Sequence, residues 1–149
     1  SEADKDNEIP LARDYDPSIP EIFGDASLFI QAILNIMTNA KQALKNTNKP
    51  RIRIKSRIVY GQPINGIVHS TSCSITISDN GPGIPSEIQE QIFFPMVSSK
   101  DQGSGLGLSI SQDIIRVHGG TITFNSDDKG AEFSILIPIN KHHREVKSA

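Results

Sequence analysis

Hydrophobic positions recur along this chain with two periods, and the elements follow from where each one holds. At about 100° per residue, Phe29, Ile30, Ile33, Ile36, Met37, Ala40, Ala43 and Leu44 share one arc, while Gln31, Asn35, Asn39 and Gln42 stack on the opposite side. This predicts a helix from about Ser27 to Lys45, with Asp25 as its N-cap and the turn-rich Asn46-Thr47-Asn48-Lys49-Pro50 as its stop. Period two then takes over: Arg51, Arg53, Lys55 and Arg57 alternate with Ile52, Ile54, Ser56 and Ile58, giving a strand over 51–60. A second strand over 73–78 follows beyond the Gly/Pro/Asn-containing connection from Gly61 to Gly66, and the two should form a hairpin.

After Asp79-Asn80-Gly81-Pro82-Gly83 the pattern predicts a short helix opened by Pro85, then a stretch from Phe93 to Ser104 with no period. A second long helix should begin near Gly105, turn Leu106, Ile110, Ile114 and Val117 inward, and stop at Gly119-Gly120. Strands over 121–126 and 132–138 close the chain as a hairpin across Asp127-Asp128-Lys129-Gly130. With a short strand at Leu11 to Tyr15, broken by Pro17 and Pro20, the sum is an α/β (α+β) two-layer sandwich. Its mixed, mainly antiparallel sheet has about five strands, with helices on one face. Residues 1–10 read as a flexible lead-in, 11–140 as one domain and 141–149 as a loose charged tail.

With 149 residues the chain can bury roughly two thirds of its unfolded surface in a single core. A single cysteine, Cys73, excludes an intrachain disulfide framework and a cysteine-based zinc cluster, which suits a reducing compartment. No apolar run approaches the roughly eighteen residues of a membrane span, and the acidic N-terminus lacks a signal-peptide pattern, so the cytoplasm is expected. Lys41 to Arg57 holds seven basic residues and no acid. Their alternation with isoleucine assigns these charges to a strand's wet face rather than to a nucleic-acid surface, and no aromatic residues interleave to stack bases.

The amides Asn35 and Asn39 solubilise a helix face less well than lysine or glutamate, so a row of them invites a polar ligand. Asp79-Asn80-Gly81 reads locally as a tight turn; the functional alternative has Asp79 accepting a hydrogen bond from the amino group of adenine, while Gly81 and Gly83, with Ile84 beside them, let the backbone approach the base. Gly103-Ser104-Gly105-Leu106-Gly107-Leu108 precedes a helix, where free N–H groups and the helix dipole favour anions. It is not a Walker loop, since no Gly-Lys-Ser/Thr follows, nor a dinucleotide fingerprint. Between these motifs Phe93, Phe94, Pro95, Met96 and Lys100 suit a lid with exposed aromatics. His118, before Gly119-Gly120, reads as structural; His69 falls in an expected loop and His142 and His143 in the tail.

In this order, an Asn helix, an Asp-x-Gly-x-Gly turn, a Phe-containing lid and Gly-x-Gly-x-Gly before a helix, the chain resembles the ATP-binding catalytic domain of sensor histidine kinases. Arg13-Asp14-Tyr15-Asp16-Pro17-Ser18-Ile19-Pro20 and Phe94-Pro95-Met96-Val97-Ser98 look like its nitrogen-regulation branch, the NtrB type. The resemblance implies ATP and Mg2+ as cofactors, with Asn39 as magnesium ligand and Asn35 at phosphate or the metal shell. It implies Lys100 and Ser104 as phosphate contacts, and Gly103, Gly105, Gly107, Leu106 and Leu108 as hinge and cradle. Asn35, Asn39 and Lys100 would carry the chemistry. Hydrolysing relatives carry a glutamate in place of Asn35, and an amide cannot take a proton, which favours a kinase over an ATPase. Gln42 stands where relatives often have Lys or Arg, which puts a cationic contact there in doubt.

No His-Glu phosphoacceptor box occurs, so the resemblance implies that the accepting histidine lies on a separate dimerisation domain, with a response regulator and a PII signal protein as further partners. The fragment is then expected to be monomeric. The alternatives are a conformational ATPase of the gyrase or chaperone class and a non-enzymatic nucleotide-binding module.

Overall fold

The computed structural model describes residues 8–22, 24–95 and 107–139. Five strands and two helices are laid out as β1 (Leu11–Asp14), α1 (Ala26–Ala43), β2 (Ile52–Ile64), β3 (Ile67–Asp79), α2 (Gly107–Val117), β4 (Thr121–Asp127) and β5 (Gly130–Pro138). The sheet order is β1-β2-β3-β5-β4, with β1 parallel to β2 and the other pairs antiparallel. This is the mixed two-layer architecture that the sequence pattern implies. Ile52 and Ile54 of β2, Ile77 of β3 and Phe133, Ile135 and Ile137 of β5 meet Ala32, Ile36, Ala40, Ile114 and Ile115 of the helices in one core.

α1 starts where the Asp25 carboxylate accepts the otherwise unpaired N–H groups of Ser27 (2.9 Å) and Leu28 (3.3 Å). Its buried stripe runs Ala32, Ile36, Ala40, Leu44, four residues apart. Ile30 lies about 200° around the helix from Ala32 and is 57% exposed, so its place on the apolar arc is corrected. The amide row is also displaced from its expected position: Asn35, Asn39 and Gln42 are half-buried, about 100° from the stripe, on the flank of the core rather than opposite it.

The β2–β3 hairpin is longer than the expected 51–60 and 73–78, because Gly61 to Gly66 is not a loop. The same register is kept to Ile64 opposite Ile67, skipping Gly61 at φ 64°, and the turn is the two-residue Asn65-Gly66, both at positive φ (52° and 80°), as a type I′ hairpin requires. β1 pairs β2 only up to Lys55, so Pro63 occupies an edge, where a missing N–H is tolerated. On the open face Arg53 and Arg57 hold the Asp14 carboxylate of β1 at 2.9 and 2.7 Å. These guanidiniums keep that carboxyl below the usual carboxylate range, Arg57 contributing most.

Pro85 opens a turn closed by Ile88 N–H on Pro85 O (3.0 Å) and then one 3-10 turn at Gln89–Gln91, in place of the expected short helix. α2 buries Ser109, Ser111, Ile114 and Ile115, while Val117 is 80% exposed at the fraying end rather than turned inward. Leu106 and the first residues of the expected second helix lie outside the described residues. At the start of the chain Ile9 packs against the core and Ile52 N–H donates to Pro10 O (3.1 Å). No helix among the described residues is long and apolar enough to cross a membrane.

Candidate functional site

Two polar segments far apart in sequence meet α1, and a third leads away from the second along β4. The first is Gly107, which opens α2. A side chain built on it would meet the Cβ of Asn35 at 3.7 Å, so the last glycine of the glycine-rich run lies directly against the amide row. Farther along the interface the buried Ser111 hydroxyl donates to the carbonyl of Ala32 at 2.8 Å. The helices thus run antiparallel, with the N-terminus of α2 beside the middle of α1.

The second segment is the turn after β3. Asp79 ends the strand half-buried, and its Oδ1 accepts the N–H of Gly81 at 2.9 Å, which makes the local turn expected from Asp-Asn-Gly. The turn packs under the C-terminal end of α1: a Cβ at Gly81 would lie 3.2 Å from the carbonyl of Ala43 and 3.4 Å from Leu44. Burial raises the Asp79 carboxyl above its ordinary value, opposed by the backbone N–H groups of Gly81 and Ala131. The turn is held from the other side by Asn80, whose Oδ1 accepts Arg51 N–H (2.6 Å) and whose Nδ2 donates to Lys49 O (3.0 Å). Sequence reasoning gave Asn80 no role; its place inside an Asx-type turn was the available signal.

The third segment carries the chain from this turn toward the lid. Gly83, at φ +83°, lies so close to β4 that a Cβ would sit 2.0 Å from the carbonyl of Asp127. The next N–H, of Ile84, donates to the Ser126 hydroxyl at 2.6 Å, an anchor that sequence reasoning missed. Phe93 then inserts edge-on against Phe124 and Phe133, with centroids 6.1 and 6.3 Å away, so it is a packed anchor and not an exposed lid aromatic. Phe94 beside it is 58% exposed, as expected of a lid base.

Gly107 therefore lies against Asn35 of the amide row, at the middle of α1, and the Asp79-Gly81 turn lies against the C-terminal end of the same helix at Ala43 and Leu44. Ile84 and Leu108 pack partly buried on the core behind it. Met96, Lys100, Gly103, Ser104, Gly105 and Leu106 lie outside the described residues. A depression of about 290 Å3 opens at the β4–β5 turn, lined by Asp79 itself together with residues such as Ser78, Asn125, Ser126 and Glu132. Among the described residues no three His, Cys, Asp or Glu side chains cluster as a metal cage. The half-buried amides of Asn35 and Asn39 are neutral oxygen donors, a set that fits a hard cation whose remaining ligands are phosphate oxygens and water.

The family described as histidine kinase-, DNA gyrase B-, and HSP90-like ATPase matches residues 24–141. The chain is 44% identical over 138 residues to the sensory histidine kinase/phosphatase NtrB of Vibrio alginolyticus, covering 93% of this chain and 39% of that protein. It is 42% identical to NtrB of Klebsiella oxytoca, covering 89% and 38%. The chain thus spans about two fifths of the length of these relatives. Among solved structures, the nucleotide-free catalytic domain of histidine kinase ThkA superposes with a TM-score of 0.74 at 29% identity, covering 93% of this chain and 84% of that one. The mycobacterial sensor histidine kinase MprB shares the fold, with a TM-score of 0.69 at 23% identity and coverage of 91% and 86%.

Proposed function

Given that the chain belongs to the histidine kinase-, DNA gyrase B-, and HSP90-like ATPase family, as an ATP-binding catalytic domain of the protein-histidine kinase type, we propose that it binds Mg-ATP along the amide flank of α1. There it would hand the γ-phosphoryl group to a histidine on a dimerisation domain that this sequence does not include. One observation carries the reading. The fold brings the start of α2 against Asn35 while it fixes the Asp79-Gly81 turn under Ala43, two polar ends of one flank on a single rigid helix.

Each end suits one part of the nucleotide. The Asp79 carboxylate, with Oδ1 held by Gly81 N–H, is oriented to accept the exocyclic amine of adenine; guanine would turn a carbonyl oxygen toward it. At the other end the helix N-terminus favours phosphate. Asn39 and Asn35 would hold magnesium, which when bound neutralises charge on the phosphates and helps to orient them. The amide of Asn35 has no base with which to activate water. The terminal phosphate is therefore retained for an imidazole delivered from outside, and the domain contributes mainly positioning and charge neutralisation. Gln42, Gly83 and Phe94, with Lys100, Gly103, Ser104, Gly105 and Leu106 of the lid and glycine run, complete the proposed site.

On the strength of the NtrB relatives, the physiological setting is nitrogen regulation in the cytoplasm, with a response regulator downstream and a PII signal protein as regulator. The chain alone is proposed to be a monomer without affinity for nucleic acid. The test is transfer from γ-labelled ATP to a supplied dimerisation domain. Label should reach the acceptor histidine with this chain and fall to background with Asn39→Ala. Steady ATP hydrolysis at the rate of a dedicated ATPase, with no transfer, would overturn the kinase reading in favour of the gyrase and chaperone class. Asn35→Glu is expected to increase hydrolysis by supplying the missing base.

A further inference from the structure

We propose that His118 is a positioning residue for the nucleotide flank, locking the register of α2 against α1 so that Gly107 stays seated on Asn35. This rests on the reading of that flank as the nucleotide site.

His118 follows the last turn of α2 and reaches across to the residue that caps the start of the other helix. The backbone N–H of Asp25, the N-cap of α1, donates to Nε2 at 3.1 Å. Nδ1 lies 2.7 Å from the carbonyl of Ile114. A carbonyl accepts only, so Nδ1 donates to it, and Nε2 receives the Asp25 N–H on its lone pair. Both nitrogens are thereby used, one within α2 and one between the helices. The ring also packs against Phe29 of α1, centroids 4.2 Å apart and planes tilted by 49°. Gly24 makes room for it: a Cβ there would lie 2.4 Å from Cδ2 of the imidazole and 2.7 Å from Phe29.

The interface between the two helices explains why such a lock is needed. From His118 to Gly107 the contacts step along α1 at Asp25, Ala32 and Asn35. At the lower two levels Gly107 and Ser111 on α2 and Ala32 on α1 are small and permit close approach, and beside them Ile36 and Ile115 add apolar packing that is not directional. A directional bond is made there by the Ser111 hydroxyl to Ala32 O. The imidazole bonds to both helices, at Asp25 and at Ile114, about 15 Å along α1 from Asn35. Loss of its cross-helix bond frees α2 to shift along α1, and the shift is felt where Gly107 meets the amide.

Five variants separate positioning from stability. Mg-ATP affinity by calorimetry and Tm are measured on this chain for wild type, His118→Ala, Gly24→Ala, His118→Gln, His118→Asn and Ile137→Val. Ile137 of β5 is buried in the shared core but takes no part in the hydrogen bonds between the helices, so losing one methyl group lowers Tm while those bonds stay in place. His118→Ala and Gly24→Ala should each weaken Mg-ATP binding about five-fold, the equivalent of one hydrogen bond. Gly24→Ala does so by displacing an unaltered ring. Glutamine can keep an acceptor near the Nε2 position and should bind within about two-fold of wild type, whereas asparagine can keep only the bond to Ile114 and should resemble alanine. Ile137→Val should keep wild-type affinity despite its lower Tm. Wild-type affinity in both His118→Ala and Gly24→Ala, or an equal loss in Ile137→Val, would overturn the inference alone. A wild-type chain that binds no Mg-ATP would overturn the nucleotide reading and the inference together.

Discussion

Asp79 illustrates at the residue scale how a binding group is held at a cost to the fold. Burial raises its carboxyl above the ordinary value, so the unfolded chain releases this proton at lower pH than the folded one does. The contribution of Asp79 to stability therefore falls as pH rises from the unfolded value through the folded one, and at neutral pH the free domain carries a half-buried charge. Asp79→Asn keeps an oxygen for Gly81 N–H and removes that charge. It should raise Tm at pH 7 while weakening ATP binding about ten-fold or more, the scale of a hydrogen bond to a charged group; paired thermal and calorimetric titrations read both. Asp16 has the opposite sign. Hydrogen bonds, first from the Ser18 hydroxyl and then from the N–H groups of Ile58 and Ser18, lower its carboxyl to about 2. Its stabilising contribution is fully present above the unfolded value near 3.8 and is lost as pH falls toward 2. Asp16→Asn should accordingly flatten the dependence of Tm on pH in that acid window.

The element scale separates what periodicity reveals from what packing decides. The long helices and the strand alternation were legible because each period holds for several turns or pairs. The edges of the buried stripe were not: Ile30 and Val117 fit an apolar arc in projection, yet packing selects Ala32 and Ile115 beside the expected Ile36, Ala40 and Leu44. Likewise Gly61 and Pro63 read as loop residues until the Asn65-Gly66 turn and the unpaired edge of β2 are seen together. Gly83 tests how tightly one element is seated on another. Both its positive φ and the 2.0 Å approach to Asp127 O forbid a side chain, so Gly83→Ala should destabilise the domain by about 2 kcal/mol or more in urea titrations, against a few tenths for an exposed loop glycine. Ser111→Ala removes the bond to Ala32 O and should cost about 1 kcal/mol by the same measurement.

For the molecule as a whole, the antiparallel pairing of α1 and α2 over one sheet turns separate motifs into a continuous flank. The order of the motifs was visible in the sequence, as was the chemistry of their residues. Their juxtaposition was not, because no local pattern states that Gly107 meets Asn35 or that Gly81 lies under Ala43. The supports were equally hidden: Asn80, Ser126 and the His118 bridge act through tertiary contacts with partners 29 to 93 residues away. The central claim, that Mg-ATP lies along the amide flank with adenine at Asp79, is tested most directly by amide resonances of the labelled chain on adding Mg with a non-hydrolysable ATP analogue. The side-chain amides of Asn35 and Asn39 and the backbone amides of Gly81 and Gly107 should shift, while Gln62 at the distant hairpin stays unmoved. Shifts confined to the depression around Asn125 and Glu132, or no shifts at all, would contradict it.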